Sequence, residues 1–548
     1  MTNAQHASSA RWAGMLFSLS VVAVMIVAVA FRTPHLKQRP MHGDEAVHGI
    51  KFGELLEQGR YEYDPYDYHG PTLNYLTLIP AWLSSRKGLS QVDEWTLRIV
   101  PVFFGVALAV LPVLISGGIG RSGAIVAGML TAVSPSMVYY SRYYIQEMLL
   151  VCFGFAAIVC GYRYVRGRRA AWAIGAGACI GLMYATKETF VIAVAAAAAA
   201  IAAAVLLKRK ESGTEPAARG FRGWDIAWAM IAAVAVAVVF YSSFFTHPRG
   251  IVDAVRTYGT YLERAGDKQI HAHPWDYYLR MILYWRYGDG PVWSEAFIAL
   301  LAIVGVAGAF LKPERSGLDR DFVRFALVYT ALMTAVYSAI SYKTPWCLLG
   351  FLQGMIVLAG IGAAILLRIC CCIPTRAVVV ALVAAGCVHL GRQAHAATGE
   401  YDCDPRSPYV YAHPTEDVFL IVDGVERAAE AHRDGRDMPI QVIMPGADFW
   451  PLPWYMRSFS KVYWRSDVEP NEPSAPLILA SPAVEPALLH KLYELTPFEK
   501  RQMYMFLFEP PYYMWLRPGI KMVGYARRDL WNAMNQPPAE AVETEAAP

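Results

Sequence analysis

Apolar runs of roughly 17–22 residues recur along the chain, each long enough to cross the hydrocarbon core of a bilayer as a helix. They fall near 13–31, 97–116, 121–139, 147–163, 170–185, 189–207, 224–245, 293–311, 323–340, 346–367 and 375–391. The first run follows Arg11 and ends near Ala28-Val29-Ala30, as a signal peptide would. Its apolar core is longer than a signal h-region and further runs follow, so an uncleaved anchor is expected. One more stretch, GPTLNYLTLIPAWLSS (70–85), is shorter and carries Pro71 and Pro80. Counting it as a span or not reverses the orientation of everything after it.

Charge decides the parity. The basic clusters are RYVRGRR (163–169), KRK with Arg219 and Arg222 (208–222), KPERSGLDR with Arg324 (312–324), and Arg368 with Arg376. If 70–85 lies in the interface, all four fall on the side of the N-terminus; if it spans, all four are exported. The positive-inside rule prefers the first arrangement. The expectation is a cell (inner) membrane, multi-pass protein with about eleven spans, N-terminus cytoplasmic. The loop 32–95, the turns at 140–147, 186–188 and 341–345, the loop 246–291 and the tail after 391 are then external. The tract AVAAAAAAAIAAAV (193–205) reads as a span with a small-residue face for close helix packing. The chain shows no internal repeat of the inverted-repeat kind.

From about 399 the pattern shortens. TEDVFLIVDGVERAAEAH has helical apolar spacing after a Thr cap. PIQVIM (439–444), KVYW (461–464) and PLILA (476–480) read as short buried strands, with EPALLHKLYEL a helix after the last. The fold class predicted is therefore mainly α: a polytopic membrane helical bundle, 1–395, with a small C-terminal extracytoplasmic α/β domain, 399–535. The last residues, 536–548, are acidic and Ala/Pro-rich and read as a disordered tail.

Composition agrees: 55% of the 548 residues are hydrophobic and only 17% charged. The net charge of +4 is too small to imply nucleic acid. Nine cysteines are an odd number and mostly lie in apolar runs, so no disulfide framework is expected. Cys370, Cys371 and Cys372 form a run at a span end, where acylation and small apolar filler are both open readings.

With that parity, the unusual polar residues gather on one face, each where a span meets the external surface. They are HGDEAVH (42–48), DYHGP (67–71), YYSRYYIQE (139–147), YATKETF (184–190), QIHAHPWDYYL (269–279) and SYKTPW (341–346). Charges so near hydrocarbon tend to face a cavity or one another. Singly, each has a structural reading: Lys187 with Glu188 as a paired helix-end cap, Arg142 with Glu147 as a salt bridge, the Tyr and Trp residues as an aromatic belt. His42 and His48 read as solvated loop residues, while His69 and His271 are stronger candidates beside rigid, proline-bearing segments. A divalent metal on Asp44, Glu147, His69 and His271 stays open, although no H-x-x-x-H or C-x-x-C spacing supports it.

Transfer of a sugar from a lipid-linked phosphate would use this set. The acceptor hydroxyl needs a base, which a carboxylate provides. Inversion at the sugar carbon places that base opposite the leaving group. The departing phosphate needs fixed positive charge more than a proton. Arg142, Lys187 and Lys343 could supply it, with an apolar groove between spans for the lipid.

These motifs resemble the GT-C superfamily of membrane glycosyltransferases, and within it protein O-mannosyltransferases and the aminoarabinose transferases that modify lipid A. The resemblance covers most of 1–390. It matches Asp44-Glu45 to the acidic motif of the first external loop and HGPTLNYL (69–76) to an interfacial segment. It matches YYSRYYIQE to a second acid, GLMYATKETF (181–190) to a GL-x-x-x-TK segment, and HAHPWDYYL to a His/Pro/Tyr-Tyr segment. YKTPW (342–346) and FWPLPWYMR (449–457) look closer to a subgroup associated with archaeal glycosylation flippases, also found in bacteria. Two departures stand out: Glu147 where relatives often carry Asp, and Gly70 where the aminoarabinose enzymes carry a lysine.

The resemblance implies an inverting glycosyltransferase, hexosyl or pentosyl, using a polyprenyl-phosphate-linked sugar and an extracytoplasmic acceptor (lipid, glycan or protein). Asp44 is the expected base, with Glu45 and Glu147 orienting acceptor or donor. His69, Arg142, Lys187, Glu188, His271, Tyr342, Lys343 and Trp346 are the expected substrate contacts. Two other readings remain at this level: a transporter or flippase-associated component of a lipid-linked glycan pathway, and an assembly scaffold. A transporter would keep its ionisable groups near mid-bilayer, and here the acids lie at the exit surface.

Overall fold

The computed structural model describes residues 2–66, 69–212, 222–264, 271–311 and 317–536. Asp67, Arg219, Lys312, Arg315 and the expected disordered tail from 537 lie outside the described residues. The chain divides into two compact units. The first comprises Met1–Lys37, Lys51–Lys87 and Val92–Tyr411; the second comprises Gln38–Ile50, Gly88–Gln91 and Ala412–Pro548.

The first unit is helical. Its elements are α1 (Thr2–Arg32), the C-terminal part of α2 (Gly43–Gln58), α3 (Thr72–Leu83), α4 (Glu94–Val110), α5 (Arg121–Val133), α6 (Pro135–Tyr140) and α7 (Glu147–Gly167). They continue with α8 (Ala170–Tyr184), α9 (Phe190–Ser212), α10 (Gly223–Tyr241), α11 (Arg249–Arg264), α12 (Ala296–Ala307), α13 (Arg320–Ala339), α14 (Leu349–Ile369) and α15 (Ile373–Ala397). Among the described residues eight helices are long and apolar enough to cross a membrane. Three shorter apolar helices, α5, α8 and α12, occupy the other stretches read as spans. The protein is a multi-pass membrane protein. The proline-bearing stretch at 70–85 forms α3, whose 12 residues reach about 18 Å, short of the ~30 Å core.

Close helix packing in this unit rests on small residues. Where α12 crosses α14, a Cβ on Gly305 would lie 1.9 Å from the Leu358 carbonyl oxygen and one on Gly362 would lie 2.1 Å from that of Leu301. Only glycine lets the backbones approach so nearly. The Ala-rich tract becomes α9, which buries Ala196, Ala200 and Ala204 at four-residue spacing and packs along α13. α14 is the most deeply enclosed of the eight long apolar helices, 83% buried within the protein.

The second unit carries an α/β fold. Its strands are β1 (Ile440–Ile443), β2 (Val462–Arg465), β3 (Leu477–Ala480), β4 (Tyr504–Phe506), β5 (Tyr513–Arg517) and β6 (Ile520–Arg527), in the order β2-β1-β3-β6-β4 with β5 also on β6. β2, β1 and β3 are parallel, and every other pairing is antiparallel. β1 and β3 are buried on both faces, which explains the apolar run of β3; in β1 the buried Gln441 donates to the Pro473 carbonyl and accepts the Ala475 N–H, both at 3.1 Å. One face packs Ile440, Val442, Leu477 and Leu479 against α16 (Asp417–Ala431). The other packs Ile478 and Ala480 against Leu488, Leu492 and Tyr525.

The first three strands and both helices stand where the sequence pattern predicts them. The hairpin β5–β6 was not foreseen: Tyr, Met, Trp and Arg alternate there without an aliphatic signature, and the turn is made by Pro518 and Gly519, the latter at φ +84°.

Candidate active site

The acidic pair Asp44-Glu45 opens a helix. His42 caps α2, its carbonyl accepting the Ala46 N–H at 2.9 Å, so Asp44 and Glu45 occupy the first turn where the helix dipole favours negative charge. The two acids then part company. Glu45 is fully buried and folds back: its Oε2 accepts from the His42 N–H at 3.1 Å and from Arg39 Nη2 at 2.9 Å. This is the reach of a capping-box glutamate, with an arginine added to balance the charge. Asp44 points outward, its side chain 51% exposed, with Oδ2 3.9 Å from His42 Nδ1. That ring nitrogen accepts the Asp44 N–H at 3.0 Å, so His42 is neutral at Nδ1 and serves as a cap acceptor.

Residues from the C-terminal part of the same unit complete this turn. Arg39 Nη1 lies 3.1 Å from His413 Nε2, and Tyr455 Oη accepts the Met41 N–H at 2.8 Å. Trp450 lies against Gly43, where an added Cβ would meet the tryptophan Cβ at 3.7 Å. His48, also read as a solvated loop residue, is buried in α2, as is His42.

The first unit holds the remaining candidates in separate groups. The segment 70–72 runs beside 185–186: the Gly70 N–H donates to the Thr186 carbonyl at 3.1 Å and the Thr72 N–H to that of Ala185 at 3.1 Å. A Cβ at position 70 would lie 2.2 Å from the Ala185 oxygen. No lysine fits there, which accounts physically for the departure from the aminoarabinose pattern. His69 Nδ1 sits 2.9 Å from Glu188 Oε2, and the Tyr63 hydroxyl donates to Glu188 Oε1 at 3.1 Å.

Glu147 and Lys187 form a buried ion pair. Both line a cavity of about 60 Å³ whose walls include Phe155, Phe325, Tyr329, Met333 and Trp346. The salt bridge read between Arg142 and Glu147, and the cap read between Lys187 and Glu188, are thus replaced by Glu147–Lys187 and Glu188–His69. Arg142 instead donates to the carbonyls of Pro34 at 2.6 Å and Arg32 at 3.3 Å, closing the end of α1.

The last candidates hold two loops together. His271, at φ +61°, is hydrogen-bonded through Nδ1 to the Tyr411 hydroxyl, and Ala272 bridges Tyr342 in a short antiparallel pairing. Lys343 Nζ donates to the carbonyls of His273, at 3.2 Å, and Ile340. Burial holds its ammonium below the ordinary lysine range and, with the neighbouring His271 and Lys343, lowers His273 as well. Tyr342 is exposed, and Trp346 is buried among Tyr140, Tyr143 and Tyr411.

Among the described residues no group of three or more His, Cys, Asp or Glu side chains is arranged to hold a metal ion. Glu147, His69 and His271 each engage a different partner, Lys187, Glu188 and Tyr411. None of Cys152, Cys160, Cys179, Cys347, Cys370, Cys371, Cys372 and Cys387 forms a disulfide.

The sequence reading missed Arg39, His413 and Glu295, and it quoted Tyr455 only within FWPLPWYMR (449–457), without a role. Glu295 is fully buried and accepts from Ser134, Ser136 and Tyr409. No local signal marks Arg39, His413 or Glu295, since their partners lie far away in the chain or, for Arg39, at a non-periodic spacing.

Comparisons with known proteins place this geometry in a wider set. Residues 77–239 match the family model for dolichyl-phosphate-mannose-protein mannosyltransferase. No curated protein sequence matches the chain. The crystal structure of ArnT from Cupriavidus metallidurans bound to undecaprenyl phosphate is similar at a TM-score of 0.56 and 14% identity, covering 93% of this chain and 97% of that one. The archaeal oligosaccharyltransferase AglB from Archaeoglobus fulgidus, in complex with an inhibitory peptide and a dolichol-phosphate, is similar at 0.54 and 14%, covering 90% of this chain and 73% of that one. The chain has the fold of the GT-C glycosyltransferases.

Proposed function

We propose that this chain is an integral-membrane, inverting glycosyltransferase that moves a sugar from a polyprenyl-phosphate donor to an extracytoplasmic acceptor. The observation that carries the reading is the Glu147–Lys187 pair at the wall of a largely apolar cavity. A cation fixed beside a greasy chamber suits a lipid whose head is a phosphate. Glu147 is the counter-ion of Lys187, and the donor phosphate takes its place. The matched mannosyltransferase family and the lipid phosphates bound by ArnT and AglB support the same donor class.

Asp44 is the base in this reading. It accepts the proton of the acceptor hydroxyl while that oxygen attacks the anomeric carbon, and the sugar–phosphate bond breaks to release polyprenyl phosphate. Its exposure leaves lone pairs available, whereas those of Glu45 are committed to Arg39 and His42. Glu188 and His69 are further substrate-contact candidates. The membrane carries the N-terminus and basic loops on the cytoplasmic side and the C-terminal domain outside, as the charge asymmetry favours.

Incubation of membranes with a panel of labelled polyprenyl-phosphate hexoses and pentoses tests the reading. Wild type should transfer one of them, and Asp44→Asn should not. Reporter fusions after residues 210 and 400 should report opposite sides; the same side for both would overturn the orientation.

A further inference from the structure

Among the described residues the Asp44 carboxylate accepts no hydrogen bond, so its direction is set through its own backbone. That backbone is held by a chain of hydrogen bonds reaching into the C-terminal part of the second unit. A guanidinium only donates, so His413 Nε2, 3.1 Å from Arg39 Nη1, is an acceptor and carries its proton on Nδ1. Arg39 passes through Nη2 to Glu45 Oε2, and the same oxygen accepts the His42 N–H. His42 Nδ1 then accepts the Asp44 N–H. One residue before His42, the Tyr455 hydroxyl accepts the Met41 N–H. Each link has one permitted direction, and the bonds of Arg39 to His413 and Glu45 and of His42 to Glu45 lie among buried groups. Trp450 closes against Gly43, between the two anchored residues.

We infer that His413, Arg39 and Tyr455 are positioning residues for Asp44, so that the C-terminal domain builds the first turn of the helix bearing the base. The inference rests on the reading of Asp44 given above. Removing His413 takes away the acceptor that orients Nη1 of Arg39, which weakens the Arg39–Glu45 bond and through it the hold of Glu45 on the His42 N–H, and the turn loosens. A displacement of the base on the ångström scale is enough to slow proton transfer by about 10- to 100-fold.

The test uses the full chain in lipid nanodiscs and needs no knowledge of the sugar. Amide hydrogen exchange across residues 40–48 should accelerate by about 10-fold in His413→Leu and in Tyr455→Phe. His413→Gln, whose side-chain oxygen can accept from Arg39, should restore protection. In membranes supplied with radiolabelled polyprenyl-phosphate mannose and arabinose, His413→Leu should lower kcat about 10-fold with the donor KM unchanged. In an Asp44→Asn background the same substitution should cost nothing further, because His413 acts only through Asp44. Unchanged exchange in both His413→Leu and Tyr455→Phe, or a His413→Leu loss that adds in full to Asp44→Asn, would overturn the inference while leaving the base in place. Full transfer by Asp44→Asn would overturn the base assignment itself, and with it the inference.

Discussion

The acids at the start of α2 and the acids at 147 and 188 are both grouped with basic partners, but in opposite surroundings. Around Asp44, the charge balance is handled next door: Glu45 and Arg39 neutralise one another in the interior and leave Asp44 half exposed. Around Glu147 there is no such division, and acid and base face each other across the wall of an apolar cavity. In the proposed reading the first arrangement frees a lone pair for base chemistry, and the second gives a cation a partner that an incoming anion can replace. Adjacent carboxylates in a sequence are therefore not interchangeable, and the difference between them is made by residues that neither motif contains.

The sharpest way to break this contrast is to exchange the fates of Asp44 and Glu45. Asp44→Asn should reduce turnover roughly 100-fold or more while leaving thermal unfolding nearly unchanged. Glu45→Ala should do the reverse at first sight: it strands Arg39 in the interior and should destabilise the protein by about 3–5 kcal/mol, read as a lower midpoint in thermal unfolding. Equal effects of the two substitutions in both assays would erase the distinction.

The cavity pair gives a smaller but cleaner effect. Lys187→Ala alone strands Glu147 and confounds folding with binding. Lys187→Met with Glu147→Gln removes both charges together, so stability should stay within about 1–2 kcal/mol of wild type. Affinity for polyprenyl phosphate should nevertheless fall about 10-fold or more, measured by equilibrium binding in nanodiscs. Unaltered affinity would remove Lys187 from the phosphate site.

Position 70 comes next. Gly70→Ala drives a Cβ into the Ala185 carbonyl and should cost about 1–3 kcal/mol in unfolding free energy, showing that the lysine of related enzymes cannot be grafted there. Lys343→Met should have the least effect on function. Its ammonium already serves the carbonyls of His273 and Ile340, so stability should drop by about 1.5–3 kcal/mol with lipid-phosphate affinity unchanged.

Much of the architecture was legible because hydrocarbon enforces a simple grammar: every stretch read as a span coincides with an apolar helix. The strands β1, β2 and β3 were equally legible, with β3 apolar throughout and β1 apolar but for Gln441, both buried on both faces. β4, β5 and β6 were not, since β4 has only three residues and aromatic and basic residues interleave along β5 and β6. The site was legible only in its vocabulary. Glu147, Lys187, Glu188 and His69 all stood out as costly groups near a membrane exit, but their pairing depends on how α7 and the segment 185–188 meet. Separations of 40 and 119 residues leave no local trace of it. Arg39 and His413, 374 residues apart, left none at all.

The bond from Met41 to Tyr455 spans 414 residues, and that distance is also an interval of time. At about 5–20 residues per second, a ribosome needs roughly 20–80 s to go from one partner to the other. Throughout that interval the helix bearing Asp44 is already made, while the groups that hold its first turn are still unsynthesised. A nascent chain therefore carries Asp44 on an unfinished turn until all of its long apolar helices have been made. The surroundings of Asp44 are among the last parts of the fold to be completed, although its own helix is among the first to be made.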